Sequence, residues 1–207
     1  MYTTFFWDLD GTLYDTYPKM VLAFAKTLTH FEIPVEKHHI YQLMRQESLG
    51  VAFDQYAREY HIQRLALEAI YYPLEKQLQH PQLFKGVREV LQTIVSRGGA
   101  NYLLTHRNGS SLTFMDHDEI TNLFTDFVTA ENPFPRKPDP TSLNYLLDRH
   151  QVDRQDAVMV GDRNLDIEAG HNAGIAGVLF DPDDLIHRTV QPEQSIHQMS
   201  ELLPLIK

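Results

Sequence analysis

Cysteine is absent from the 207 residues of this chain. Its absence excludes disulfide bonds, a thiolate nucleophile and metal sites built from thiolates. Long apolar runs are missing too, since no segment approaches the roughly 18 consecutive apolar residues of a membrane-spanning helix. The first residues, MYTTFFWDLD, lack the basic start of a signal peptide. We therefore expect a cytoplasmic protein that does not contact membranes.

Positive charge is scarce as well. The chain has 18 Lys and Arg residues against 28 Asp and Glu residues, which gives a formal net charge of −10. A global negative charge repels polyanions, so we expect no nucleic-acid partner. A small phosphorylated substrate remains compatible with this charge, because local cations and a metal ion can dominate inside a cleft.

The order of apolar segments predicts an α/β fold with a helical insert. A short apolar run over residues 3–9 is typical of a buried strand, and apolar residues then recur at helical spacing from 18 to about 78. Beyond Pro81 strands and helices alternate, which favours a parallel sheet covered by helices on both faces. We therefore predict a core formed by residues 1–16 and 80–207 and an all-helical insert over 17–79.

The individual elements of the core follow from the same periodicities. After the opening strand, further strands are predicted over 102–105, 127–129, 157–160 and 176–180. Helices are predicted over 86–96, 140–149, 165–172 and 195–203. Because ligands of parallel sheets bind at the carboxyl ends of the strands, the polar residues at those ends are the candidate site.

Polar residues occur at or beside several of these ends. They are Asp8 and Asp10, Thr105 with His106 and Arg107, Lys137 in a loop, and Asp162 with Asp166. Each alone has an ordinary structural explanation, as a helix cap, a turn former or a solvated loop residue. Their joint occurrence in this order favours a shared site. Asp8 and Asp10 point the same way along extended backbone, and a divalent cation would offset the repulsion between them.

These residues resemble the motifs of the haloacid dehalogenase superfamily, specifically its phosphatase-like subfamily I with a helical cap, which includes phosphoglycolate phosphatases. Asp8-Leu9-Asp10-Gly11-Thr12 matches the first motif and Thr105 the second. Lys137 matches the third motif, and the segment from Gly161-Asp162 to Asp166 matches the fourth. The resemblance covers essentially the whole chain and implies a Rossmann-like core with an inserted cap.

The resemblance also implies roles. Asp8 would be the nucleophile that becomes a phospho-aspartate, and Asp10 would be the general acid and base. Thr105 and His106 would bind the phosphoryl group, the latter through its backbone N–H, and Lys137 would neutralise charge there. Mg²⁺ would be held by Asp8, the backbone carbonyl of Asp10, and Asp162, with Asp166 in support. Arg107 lies next to the phosphoryl pocket or forms a structural ion pair.

Other activities of this scaffold stay open to different degrees. Dehalogenases of the family lack the second aspartate, whereas Asp10 is present here. A phosphomutase of the β-phosphoglucomutase type is disfavoured because Met20 stands where such enzymes have a histidine. Phosphonate hydrolysis would need a cap lysine, for which Lys19, Lys26 and Lys37 are weak candidates. A catalytically silent binding or regulatory relative is the remaining alternative.

The expected substrate is a small phosphorylated metabolite, which the sequence does not identify further. A loop over 45–50 is our candidate for substrate selection, and Arg45 in it could bind an anionic tail or lie on a solvated helix. The eleven histidines form no ligand pattern, so we expect no zinc site. We expect a monomer or a weak homodimer.

Overall fold

The computed structural model describes all 207 residues, and its main feature is one parallel sheet of six strands. The six strands follow the spatial order β5-β4-β1-β6-β7-β8. They are β1 Thr4–Trp7, β4 Ala100–Leu104, β5 Asp126–Val128, β6 Ala157–Gly161, β7 Ala176–Phe180 and β8 Gln194–Ile196. Strand β1 lies between β4 and β6, with Trp7 opposite Leu103 on one side and Val160 on the other. The first strand of the chain is therefore central.

Helices cover both faces of this sheet. They are α5 Val87–Ser96, α6 Ser110–His117, α7 Thr141–Arg149 and α8 Asn164–Asn172, with 3₁₀ turns Thr121–Leu123, Arg154–Asp156 and Met199–Leu205. Because side chains alternate along a strand, Phe5 and Trp7 pack on one face with residues of α5, whereas Phe6 packs on the other with residues of α7. Burial on both faces explains why β1 reads as a continuous apolar run.

The structure confirms the predicted α/β fold class and corrects one element. The predicted strands and helices from 86 to 180 are present with ends that differ by two residues or fewer. The helix predicted over 195–203 is wrong, because β8 and the 3₁₀ turn Met199–Leu205 occupy that segment. Only Ile196 of β8 is fully buried, and its polar neighbours give no strand-like apolar pattern. None of the helices combines the length and the hydropathy that a membrane-spanning segment needs.

The chain separates into two compact units, one formed by Met1–Tyr14 with Leu83–Lys207 and the other by Asp15–Gln82. The insert predicted over 17–79 falls within the second unit. Two short strands, β2 Tyr14–Asp15 and β3 Gln82–Leu83, pair where the chain passes between the units.

The second unit contains four helices and no sheet core. They are α1 Tyr17–His30, α2 Lys37–Gln46, α3 Leu49–Glu59 and α4 Arg64–Leu78. Phe24 of α1 lies at the centre of an aromatic cluster, with ring centroids 5.3 Å from Phe53 and Tyr56 and 6.0 Å from Tyr71. Large rings at helical spacing supply the apolar area that a small bundle needs.

A buried polar residue, Asn101, ties the sheet of the first unit to its surroundings. Its Oδ1 accepts a hydrogen bond of 2.9 Å from Trp7 Nε1, and its Nδ2 donates to the carbonyls of Leu91 and Leu123 at 3.2 and 3.0 Å. The side chain is fully buried, so these bonds replace water that cannot reach it. One amide therefore links β1, α5, β4 and a 3₁₀ turn.

Replacing Asn101 by alanine removes three hydrogen bonds in the interior, those to the Trp7 N–H and to the carbonyls of Leu91 and Leu123. A lost buried bond costs about 1 kcal/mol and a buried group left unsatisfied about 1–3 kcal/mol, so Asn101→Ala should lower the free energy of unfolding by about 3 kcal/mol. Trp7 is the only tryptophan, and its fluorescence during guanidinium unfolding reports this unit directly. Asn172→Ala, which removes an exposed amide with one bond to Pro138, is the control and should change stability little. Equal losses in both variants would contradict the role of Asn101.

Candidate active site

Three predicted site residues lie at neighbouring strand ends. Asp8 follows β1 and its N–H donates to the carbonyl of Val160 at 3.0 Å. Thr105 follows β4, and Asp162 follows β6. The carboxyl ends of parallel neighbours share one edge of the sheet, so the register alone brings these residues together from distant parts of the chain.

Lys137 reaches this edge from the loop before α7. Its Nζ lies 2.6 Å from Asp8 Oδ1, 2.6 Å from Asp166 Oδ1 and 3.1 Å from the carbonyl of Leu104. The ammonium is completely buried, and its three N–H groups match these three acceptors. Burial alone would lower the pKa of Lys137, but the carboxylates of Asp166 and Asp8 raise it above its usual value. Lys137 is therefore a fixed positive charge.

Asp8 has the electrostatic environment of a group that needs a further cation. Burial raises its pKa to about 7, with Lys137 opposing this shift and Asp166 and Asp162 adding to it. Its second carboxylate oxygen, Oδ2, is buried and has no hydrogen-bond partner. An unsatisfied buried carboxylate oxygen is costly, which makes it a natural metal ligand or nucleophile.

A group of three acidic residues fits a divalent cation here. Carboxylate oxygens of Asp8, Asp162 and Asp166 all lie within 4.8 Å of one another, and all three residues are buried. Lys137 contacts Asp8 and Asp166, and Arg163 Nε lies 4.0 Å from Asp162 Oδ1. Three carboxylates thus face two cations, and a hard divalent cation would balance the remaining negative charge. The donor set therefore fits the metal that the sequence predicts. Asp166, predicted only to support the site, belongs to the same group of carboxylates as Asp8 and Asp162.

Asp166 occupies the first turn of α8 and depends on a glycine. Its Oδ2 accepts the N–H of Arg163 at 3.2 Å, while Oδ1 faces Lys137. A Cβ atom built on Gly161 would overlap Cβ and Cγ of Asp166. Only glycine at the end of β6 therefore lets this carboxylate turn back toward Lys137.

Asp10 pairs with a different cation, Arg107. Arg107 Nε lies 2.9 Å from Asp10 Oδ1 and 3.1 Å from Oδ2. The Asp10 side chain is 23% exposed, in contrast to the buried Asp8. The two aspartates predicted as nucleophile and acid/base thus have different surroundings and different cationic partners.

Thr105 and His106 form hydrogen bonds to the backbone of the residues that carry the two cations, Arg107 and Lys137. Thr105 Oγ1 accepts the N–H of Arg107 at 3.1 Å, and His106 Nε2 accepts the backbone N–H of Lys137 at 2.8 Å. Burial, helped by the nearby charges of Lys137, Arg136 and Arg163, lowers the pKa of His106 to about 2. The imidazole is therefore neutral and can accept a hydrogen bond. The ring supports the Lys137 loop, which leaves only the backbone N–H for the predicted phosphoryl contact.

Arg45, the residue predicted for substrate selection, lies in the last turn of α2 in the helical unit. It is 1% exposed, and its guanidinium carbon lies 5.3 Å from the ring centre of Tyr17. The predicted loop over 45–50 is wrong in extent, because only Glu47 and Ser48 lie outside helices. Ser48 accepts the N–H of Val51 at 3.0 Å and so begins α3 early. A role of Arg45 in selection stays a prediction.

Two contacts of the site are not specified by the sequence analysis, which leaves the partner of Arg107 unnamed. The carbonyl of Leu104 as an acceptor for Lys137 carries no sequence signal, because every residue has a carbonyl. The pairing of Arg107 with Asp10 did have a sequence signal, since a cation three residues beyond the end of β4 lies at the edge of the sheet that carries the aspartates.

Comparison with known proteins identifies a hydrolase family and related phosphatases. The family model described as haloacid dehalogenase-like hydrolase matches residues 5–180. A phosphoglycolate phosphatase of Vibrio parahaemolyticus is 28% identical over 183 residues, which is 82% of this chain and 79% of that protein. A pyrophosphatase PpaX of Listeria welshimeri is 25% identical and matches 99% of this chain and 96% of its own.

A solved structure shows the same likeness. The crystal structure of a hydrolase from Streptococcus pneumoniae is 34% identical, with a TM-score of 0.66, over 86% of this chain and 92% of that one.

Gly161→Ala tests the packing that positions Asp166. The new methyl group must displace Asp166 from Lys137, and overpacking of this kind costs about 1–3 kcal/mol. We expect a lower unfolding midpoint in guanidinium. Gly50→Ala adds the same group in α3, where its nearest contact is Ser48 Oγ at 3.6 Å, and should leave the midpoint unchanged or higher. Wild-type stability of Gly161→Ala would refute the steric argument.

Proposed function

Because the chain belongs to the haloacid dehalogenase-like hydrolase family, we propose that it is a Mg²⁺-dependent phosphatase of small phosphorylated metabolites that transfers the phosphoryl group to Asp8. The family and its phosphatase relatives place the chain among phosphohydrolases. The observation that supports the proposed mechanism most is the state of Asp8, with one oxygen on Lys137 and the other buried without a partner. A carboxylate fixed at one oxygen presents the second oxygen in a defined direction.

In the first proposed step a carboxylate oxygen of Asp8 attacks phosphorus, and the bond from phosphorus to the leaving oxygen breaks. Asp10 gives its proton to that leaving oxygen. In the second step water attacks the phosphorus of the phospho-aspartate, Asp10 takes a proton of that water, and the bond from phosphorus to the Asp8 oxygen breaks. The Asp8 carboxylate is thereby regenerated and inorganic phosphate is released. Each residue thus returns to its starting state.

The other residues stabilise charge without changing their own bonds. Lys137 neutralises the phosphoryl oxygens and the nucleophile, while the Thr105 hydroxyl and the His106 backbone N–H donate hydrogen bonds to the phosphoryl group. Asp8, the Asp10 carbonyl and Asp162 would hold Mg²⁺, and the position of Asp166 in the acidic group makes it a further candidate ligand. When bound, the ion supplies positive charge against the phosphoryl oxygens.

The names of the relatives suggest where a substrate search should begin. Relatives are named phosphoglycolate phosphatase and pyrophosphatase, so phosphoglycolate and pyrophosphate are the first compounds to compare, followed by sugar phosphates. The presence of Asp10 disfavours a dehalogenase, and the complete set of motifs disfavours a catalytically silent relative. Met20, in place of a histidine, disfavours a phosphomutase. Release of inorganic phosphate, rather than an isomerised product, is the readout that separates a hydrolase from a mutase.

Asp8→Asn should remove phosphate release, because an amide cannot attack phosphorus. With the best substrate from the search, we expect kcat below detection while circular dichroism stays native. Asp148→Asn makes the same change at an exposed position and should keep full activity. Activity of Asp8→Asn within about tenfold of wild type, equal to about 1.4 kcal/mol of barrier, would refute the nucleophile. A wild-type protein that releases no phosphate from any compound would favour the silent relative.

Metal binding can be tested without turnover. A cation at about one hundred times its Kd stabilises the folded state by about 2.7 kcal/mol, which raises the melting temperature by several degrees. We expect this rise with Mg²⁺ in wild type and its loss in Asp162→Asn. Asp10→Asn is the matched control, because only the backbone carbonyl of Asp10 is proposed as a ligand, and it should keep the rise. Equal shifts in wild type and Asp162→Asn would contradict the proposed site.

A further inference from the structure

Arg107 is held from several sides. Its N–H donates to Thr105 Oγ1 at 3.1 Å and its carbonyl accepts the N–H of Ala130 at 3.0 Å. The guanidinium carbon lies 5.5 Å from the ring centre of Phe114 in α6, within the range of a cation–π contact. The side chain is only 11% exposed. Backbone and aromatic contacts therefore fix the direction in which the guanidinium points.

The guanidinium contacts the carboxylate of Asp10. Its Nε–H is shared between both oxygens of Asp10, at 2.9 and 3.1 Å. Such a charge-assisted contact limits rotation of the Asp10 carboxylate about its Cβ–Cγ bond. Asp10 lies in a turn, where the Gly11 N–H bonds to the carbonyl of Tyr14 at 2.8 Å, so Arg107 adds the side-chain restraint that the backbone cannot give.

The two aspartates therefore have separate cations with separate tasks. Lys137 is buried and contacts Asp8 and Asp166, whereas Arg107 contacts Asp10. A single cation between Asp8 and Asp10 would draw both carboxylates together. In this structure each of the two aspartates pairs with its own cation, so the acid/base and the nucleophile are oriented independently.

We propose that Arg107 is a positioning residue that holds the Asp10 carboxyl group in the orientation needed to protonate the leaving oxygen. The proposal rests on the proposed function, in which Asp10 is the acid/base. One oxygen of Asp10 keeps the hydrogen bond from Nε while the other carries the proton. Arg107 acts through Asp10, and its contribution is largest where the leaving oxygen most needs a proton.

The test compares kcat/KM for two substrates that differ in their leaving group. An alkyl phosphate has a poor leaving group and depends on the acid, whereas p-nitrophenyl phosphate has a good one and depends on it little. A positioned acid contributes about 10²–10⁴-fold, so Arg107→Ala should lower kcat/KM at least about 100-fold for the alkyl ester and less than about tenfold for the aryl ester. Arg107→Lys, which keeps a charge without the planar fork, should recover part of the loss.

A double-mutant cycle separates this role from others. In an Asp10→Asn background, Arg107→Ala should cause no further loss on the alkyl ester, because the acid is already gone. Equal losses on both substrates, persisting in that background, would instead make Arg107 a phosphoryl ligand and overturn the proposal. No loss on either substrate would overturn it as well.

Arg149 gives a matched control within the chain. It pairs with Asp126 at 3.1 Å and lies 5.7 Å from the ring centre of Tyr145, the same combination of ion pair and aromatic contact away from the proposed site. Arg149→Ala should leave both kcat/KM values unchanged. If Arg107→Ala does not fold, Arg107→Gln replaces it in the same assays.

The outcomes also distinguish this inference from the proposed function. A wild-type enzyme without phosphatase activity, or an active Asp8→Asn variant, would defeat the proposed function and with it the inference. An active wild type with an inactive Asp8→Asn variant, but no leaving-group dependence in Arg107→Ala, would defeat the inference alone.

Discussion

The buried ammonium of Lys137 is the interaction on which the proposed site depends. It joins the end of β1 to the first turn of α8 and to the last residue of β4. Removing one partner from a buried ion pair costs about 3–5 kcal/mol, because the remaining charge is left uncompensated. The glycine that ends β6, the neutral imidazole under the Lys137 backbone and the capping contact of Asp166 all serve to keep this one cation in place.

Much of this arrangement could be predicted from the sequence, for a physical reason. A parallel sheet brings the ends of its strands to one edge, so identifying the strands is enough to group Asp8, Thr105 and Asp162. The strands themselves were predictable because burial on both faces gives continuous apolar runs. Lys137 and Asp166 lie in a loop and a helix beside these ends, and the roles predicted for them rest on the resemblance to a family and not on periodicity.

The remainder depends on contacts that leave no periodic signal. Strand β8 is short and mostly polar, and it forms by pairing with β7, which sequence patterns do not record. The pairing of Arg107 with Asp10 depends on the conformation of the arginine side chain, which the sequence does not specify. The burial of Arg45 depends on how Tyr17 of a neighbouring helix packs, since a basic residue in the last turn of a helix usually faces water.

The contacts of Lys137 also bear on how the protein acquires activity. The bond to Asp8 joins residues 129 apart in sequence, and the bond to Leu104 joins residues 33 apart. Closing such long loops costs entropy that a helix, made of local contacts, does not incur. No single helix or strand of the chain contains all the residues of the proposed site. Catalytic competence therefore emerges only when the central strands have found their order, and its recovery on refolding marks completion of the topology.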